Sequence, residues 1–528
     1  MSYISRKIFY PLFTILFLLG FFGLLFIVFF SQSIEVVNPS YAISGTDINP
    51  SVDDVLLRFK QISDTASDLL LLHLKAISGN INTLGDGYPI IIYNPLSWVR
   101  TDIAEAELKL PGEIRDFSLY DDKNKKIPLQ ILGKISENGV NIFKVIFVAK
   151  DIPSMGYSLY RLRPDNTALL NTKKLRSGRF LIENEFFSIR LDSLTGCISR
   201  ITNKKNNREI LAPDSKGNLI QVIDDFGDSE GFLMSPEGFG EFDKWTGHIS
   251  DVVDYSEVEM LENGPVRATI QIKRSYNLSR FIQRIYLYPD INRIDFELIL
   301  DWNGKNKIVK VTFPLNVKND SAVYEIPYGT IKRPALGEEQ TAQQWVDLSD
   351  EYNGVSLLND SRYGYDVTKN SIRLSVLRSP DHPVKATDEK SIHQLRYSLY
   401  PHSGNCYTAN TMQKGYEFNN PLIVLNEPSH KGSLPSKHSF IEISPDNLIV
   451  TVLKKAEDSD DLIMRFYETK GADCTAIIKL SPFFGIDAVH KTDLLENELE
   501  DIPLQKNEFE TKVGKFSIES YKLIRDYY

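Results

Sequence analysis

The chain has 528 residues, of which 42% are hydrophobic and 25% charged, and a formal net charge of -10. At roughly 100–200 residues per domain, that length asks for about three folded units rather than one core. The acidic balance argues against nucleic acid or an anionic lipid surface as partner. Three widely spaced cysteines, Cys197, Cys406 and Cys474, make neither a disulfide framework nor a zinc ribbon, and read as small buried apolar residues.

From Ile8 to Phe30 no residue is charged. As a helix, about 23 residues span roughly 35 Å, enough for a bilayer core with some tilt. Arg6 and Lys7 precede the run and Glu35 follows it, which places the N-terminus in the cytoplasm and the bulk of the chain outside. A cleaved signal peptide is the rival reading, but Ser40-Tyr41-Ala42 lies far beyond the apolar run, and the run exceeds the usual h-region. Residues 1–34 are thus expected to form a single-pass anchor and 35–50 a polar linker. Within 51–80, Val55, Leu56, Phe59, Ile62, Ala66, Leu69, Leu70 and Leu74 recur at spacings of three and four. That is an amphipathic helix, opened by Ser51 with Asp54 and stopped by Gly79. His73 on this helix reads as a packed residue rather than a ligand.

After Gly87 the pattern changes to short apolar runs between turn signals such as Leu194-Thr195-Gly196 and Asn303-Gly304. Polar breaks at 164–178 and 426–438 divide it into a first β domain (88–165), a large unit (178–425) and a C-terminal β domain (436–528). The expected fold is mainly β: a large double-layer β-sandwich flanked by smaller β domains and preceded by one helix and the N-terminal transmembrane helix.

Several segments carry a resemblance. Tyr93-Asn94-Pro95-Leu96-Ser97-Trp98 precedes Arg100-Thr101-Asp102; Pro153-Ser154-Met155-Gly156-Tyr157 and Glu183-Asn184-Glu185-Phe186 follow. Later come Gln344-Trp345-Val346-Asp347-Leu348-Ser349-Asp350, Tyr397-Ser398-Leu399-Tyr400-Pro401-His402 and Arg465-Phe466-Tyr467-Glu468-Thr469. In this order, over roughly 435 residues, they resemble the C-terminal half of glycoside hydrolase family 38, the α-mannosidases of cytosolic and microbial type. Most are turn-formers and large buried side chains, so they identify a scaffold, and a scaffold alone does not establish chemistry.

Retaining glycoside hydrolysis needs a carboxylate nucleophile and an acid/base carboxyl about 5 Å apart. The resemblance adds a zinc-type divalent ion held by His and Asp on an N-terminal barrel that opens with His-x-Asp. None of the eight histidines begins such a motif. No catalytic residue, metal ligand or cofactor is therefore carried over to this chain, and its standing as an enzyme stays open. The ion is implied only where a separate barrel-bearing chain is present. Two groups of residues are candidates for contacting a mannose-containing glycan. The first is the acidic-aromatic stretch with Asp228, Glu230, Asp243 and Trp245, which follows Asp224-Asp225. The same stretch also reads as a solvated acidic loop between strands, and its oxygen ligands as a cation site. The second, implied by the resemblance, lends side chains to the rim of a sugar pocket: Tyr328, Arg333, Arg362 and Tyr363, with Asn359 nearby. The same residues also read as struts between loops.

Two functions follow. One is a membrane-anchored α-mannosidase-like chain that takes part in mannoside hydrolysis with a barrel-bearing partner; the other is a non-catalytic carbohydrate-binding or structural cell-surface module. Asn277-Leu278-Ser279, Asn319-Asp320-Ser321 and Asn359-Asp360-Ser361 match the N-glycosylation pattern, which matters only for an exported chain.

Overall fold

A computed structural model of the chain describes residues 52–165, 174–225, 247–254, 257–379 and 391–525. The expected anchor and the site candidates Asp228, Glu230, Asp243 and Trp245 lie outside the described residues. Among the described residues, no helix is long and apolar enough to cross a membrane.

Helix α1 runs Val52–Ser78, as the three-and-four spacing predicts. Its last turns are well covered: Leu74 and Ile77 join the core of the C-terminal domain, while Ala66 is buried midway and Leu57, Leu71 and Leu72 stay exposed. Beyond it the described chain is overwhelmingly β. The first β domain packs a six-stranded sheet on the three-stranded antiparallel sheet of Arg100–Pro111, Val140–Ile152 and Leu129–Glu137. Ile90, Ile92, Phe117, Phe143, Phe147 and Leu162 fill the space between them.

The large unit is the expected double layer. A nine-stranded sheet faces a six-stranded one, with a five-stranded sheet at one end, all around a single core. Strand Ser279–Leu287 shows the logic. Phe281, Ile285 and Leu287 point into the core, while Arg280, Arg284 and Tyr286 alternate to the other face. The C-terminal domain stacks three strands on five, and Phe466 and Tyr521 lie parallel with ring centroids 5.5 Å apart.

Two features depart from the sequence reading. Strand Ile423–Asn426 pairs antiparallel with Tyr88–Asn94, so the chain has already returned to the first β domain before the expected boundary at 425. Lys437–Ser439 then adds to the strand Gly156–Pro164 of the same sheet. A second helix, α2 (Thr411–Asn419), was also not expected. Its Gly415 is a poor helix former, but a Cβ there would lie 2.7 Å from Trp345 Cδ1. Close packing on the buried indole requires glycine, and tertiary contact overrides local propensity.

The quoted segment 93–98 is where these parts meet. Tyr93 Oη shares a hydrogen bond of 2.8 Å with the Oγ of Ser78, the last residue of α1. The Asn94 amide ties its own turn through the carbonyls of Trp98 and Pro153. Ser97 Oγ accepts from Val450 N of the C-terminal domain at 3.0 Å, and Trp98 Nε1 donates to Glu417 of α2 at 3.0 Å. Beside them a buried ion cluster joins the first domain to the sandwich. Asp102 pairs with Arg100 at 3.3 Å and Arg293 at 3.1 Å, and Arg293 also holds Asp295 at 3.0 Å.

Candidate functional site

The polar face of the six-stranded sheet carries a row of charged groups. Register places Gln221 opposite both Asp251 and Lys310, Lys310 opposite Ser375, and Asp366 opposite both Arg373 and Glu339. The alternate residues Ile220, Val222, Val311, Leu374, Tyr365 and Val367 face the core. Lys310, wholly buried, bridges the carboxylates of Glu339 and Asp366. Arg373 Nε takes the other oxygen of Asp366, and Ser375 Oγ donates to Glu339. Gly364 leaves room for this packing, since a Cβ there would sit 2.7 Å from Glu339 Oε1.

Two cations thus neutralise two carboxylates, and each carboxylate is spent on its neighbours. Glycoside hydrolysis needs one carboxylate free to attack and one carboxyl free to donate a proton. The row is a structural brace, not such a pair.

A second cluster superficially suggests nucleophilic chemistry. Ser356 Oγ lies 3.2 Å from His402 Nε2, which is 2.8 Å from Asp347 Oδ2. In a working triad the acid and the hydroxyl occupy opposite ring nitrogens. Here both crowd Nε2, and Ser356 donates directly to Asp347 at 2.8 Å. Ser356, Asp347 and Thr411 are sealed from solvent. The cluster anchors α2 to the nine-stranded sheet.

The four rim residues implied by the resemblance divide between two places. Tyr328, at φ 58°, occupies the turn between strands Ser321–Ile326 and Gly329–Pro334. Its ring meets Tyr467 of the C-terminal domain edge-on at 5.4 Å, in a seam that includes Trp345, Cys406 and Ile449. Arg333 and Tyr363, with Asn359, converge on the connection between strands Leu336–Thr341 and Trp345–Ser349, whereas Arg362 turns to the strand Ser371–Ser379. Arg333 donates to Thr341 O at 2.8 Å and stacks over Tyr324 at 4.9 Å. Ala342 N donates to Tyr363 O at 2.9 Å, and Asn359 Nδ2 reaches Gln343 O at 2.8 Å. Arg362 donates to Val376 O at 2.7 Å and to Ser361 O at 3.2 Å; burial lowers its pKa, and Tyr363 partly restores it.

Asp224 and Asp225, which precede the acidic-aromatic stretch, are tied to the sheet. Asp224 pairs with Lys307, and the buried Asp225 carboxylate takes a two-pronged grip from Arg378 at 2.7 and 3.3 Å. Among the described residues, no group of three or more His, Cys, Asp or Glu stands close enough to hold a metal ion. The donor set on these residues does not fit the zinc-type ion that the resemblance implies.

Comparison with known proteins agrees with this scaffold. Residues 182–385 match the glycosyl hydrolases family 38 C-terminal domain, and residues 447–521 match the glycosyl hydrolases family 38 C-terminal beta sandwich domain. The chain carries the C-terminal domains of glycosyl hydrolase family 38. Among its relatives, alpha-mannosidase G of Dictyostelium discoideum is 28% identical over 92% of this chain and 46% of that protein. Human alpha-mannosidase 2C1 is 27% identical over 71% of this chain and 37% of its own length. The chain therefore spans less than half the length of these curated relatives. A family 38 glycosyl hydrolase structure from Enterococcus faecalis superimposes with a TM-score of 0.74 at 16% identity, covering 89% of this chain and 62% of that one. That likeness establishes the fold.

Proposed function

We propose that this chain is the β-domain part of a family 38 α-mannosidase, which takes part in cleaving mannose-containing glycans together with a catalytic barrel on a separate chain. In the same reading, residues 8–30 anchor it and display the β domains outside the membrane. The observation that carries the reading is the pair of family matches, both to C-terminal domains, in a chain whose curated relatives are α-mannosidases. A second support is that the carboxylates of Asp225, Glu339 and Asp366 are held in ion pairs with Arg378 and Lys310. Any zinc-type ion would then be held by residues outside those described, on the barrel chain in this reading, where it would bind the sugar hydroxyls.

The test is hydrolysis of an aryl α-mannoside with Zn²⁺ present. The purified chain alone is expected to be inactive, and crosslinking in its native membrane is expected to recover a barrel-bearing chain that restores turnover. Turnover by the chain alone overturns the division of labour, and crosslinking that recovers no such chain overturns the partnership. Carbonate extraction checks the anchor. The full chain should stay with the membrane, and a chain lacking residues 1–34 should not.

A further inference from the structure

A groove of about 520 Å³ opens on the first β domain, and none of the candidate site residues above lines it. Its floor is the strand Gly156–Pro164, whose residues Leu159, Arg161 and Arg163 share one face while Tyr160 and Leu162 point into the core. One wall is the turn that carries Asp121, Asp122 and Asn124. The other is built from two distant pieces of chain, around Asn82 and around Ser433.

The walls are fixed by bonds of their own. Asn82 N donates to Leu434 O at 2.9 Å, Leu434 N to Asn80 O at 2.8 Å, and Leu159 N to Ser436 O at 2.8 Å. Gly432 permits this contact, because a Cβ there would lie 2.3 Å from Asn80 O. Arg161 Nη2 clamps the carbonyls of Thr83 and Leu84 at 2.9 and 2.6 Å. Arg163 lies over the Tyr120 ring at 4.7 Å and donates to Asn124 Oδ1 at 2.6 Å. Asp121 accepts from the backbone of its own turn, and Asp122 pairs with Lys437 at 3.2 Å. The groove is thus formed before any ligand arrives, which lowers the ordering cost of binding.

Its chemistry selects a ligand class. Two guanidinium groups and two carboxylates leave the lining with no net charge, so a simple anion meets Asp121 and Asp122, and a cation meets the arginines. Side-chain amides, serine hydroxyls and carboxylates together supply donors and acceptors, and Leu84 and Pro435 add a small apolar surface. A sugar presents the matching pattern, since each hydroxyl both donates and accepts while the ring has an apolar face. The volume lies within the roughly 300–1,000 Å³ of small-molecule sites. We propose that this groove binds a neutral oligosaccharide of two or three rings.

The proposal does not depend on the mannosidase reading, and a failed hydrolysis assay leaves it intact. The experiment is calorimetric titration of the full chain in detergent with α-mannotriose, cellotriose and trigalacturonate. Ser433 is exposed, so Ser433→Trp fills the groove without entering the core. Arg163→Ala removes a donor from the floor. Binding of at least one neutral trisaccharide is expected, weakened roughly tenfold or more by either substitution, the scale of one charge-assisted hydrogen bond. The Ser433→Trp chain should melt as the unsubstituted chain does, which separates a filled groove from a lost fold. Absence of binding by both neutral sugars, binding that survives both substitutions, or preference for trigalacturonate each overturns the proposal.

Discussion

Glu468, the acidic residue of the quoted segment 465–469, ends strand Leu462–Glu468 fully buried. Its Oε1 accepts from Asn447 Nδ2 at 2.8 Å and Lys470 N at 2.7 Å. Oε2 accepts from Gly471 N at 2.7 Å, Ala472 N at 3.2 Å and Phe516 N at 2.9 Å. One carboxylate therefore organises the turn after its own strand and the turn before the strand Ile518–Arg525. Glu468→Gln keeps the shape but turns one oxygen into a donor. Whichever oxygen is replaced, at least two buried N–H groups lose their acceptor and face an NH₂. At roughly 1.5–3 kcal/mol for each hydrogen bond to a charged group, the expected local loss is about 3–6 kcal/mol. A multidomain chain need not unfold in two states, so the informative assay is amide hydrogen exchange. The amide is expected to place its NH₂ at the Oε1 position, where two acceptor contacts are lost instead of three, so protection at Lys470 N should fall by about 10²-fold or more, since each ~1.4 kcal/mol is tenfold. A change below about 1 kcal/mol would show that water or backbone partners can replace the carboxylate, and would refute the reasoning.

Three further outcomes are expected. Lys310→Met strips the shared cation from two carboxylates, one of them fully buried, and should cost about 3–5 kcal/mol, read as a lower denaturation midpoint of the sandwich; an unchanged midpoint would mean that Arg373 and Ser375 suffice. Burial opposes ionisation of Asp102, but Arg293 and Arg100 outweigh it and hold its pKa below the ordinary value. A carboxylate depressed on folding contributes stability above its unfolded pKa of about 3.9 and loses that contribution as pH falls through the folded value. Asp102→Asn should therefore be less stable at pH 7, with the gap closing below about pH 4; parallel stability curves would contradict the sign. Of the three glycosylation patterns, Asn277 sits exposed in a hairpin turn, whereas Asn319 Nδ2 is bonded to Ser349 O at 2.6 Å and Asn359 is buried. Expressed through a glycosylating export route, the chain should carry sugar at Asn277 alone, and Asn277→Gln should abolish the mass increase.

Features set by local pattern were readable in the sequence. The spacing in 51–80 gave helix α1, and alternation such as that of 279–287 gave the strands and the double layer. Features set by distant register were not. Nothing near Lys310 announces Glu339 and Asp366, because the pairing of three strands brings them together. Helix α2 contradicts its own glycine, and the only hint was an indole 70 residues earlier that needed a flat partner. Of the proposed sugar-contacting residues, Tyr328 fills a domain seam, Arg333 and Tyr363 secure one connection, and Arg362 ties its own loop to Val376. The groove beside Arg163 leaves no mark in local pattern, because its walls come from three separate parts of the chain.

The return of strand Ile423–Asn426 to the first sheet has a consequence for synthesis. The first β domain leaves the ribosome without a strand that is still unmade, and the whole large sandwich is an insertion within it. At roughly 5–20 residues per second, the gap lasts on the order of tens of seconds. During that interval the edge of Tyr88–Asn94, rich in isoleucine, is an open template for foreign strands. Truncation before 423 should therefore yield aggregates instead of a shorter folded protein, and a chaperone that shields nascent β edges should matter most for this stretch.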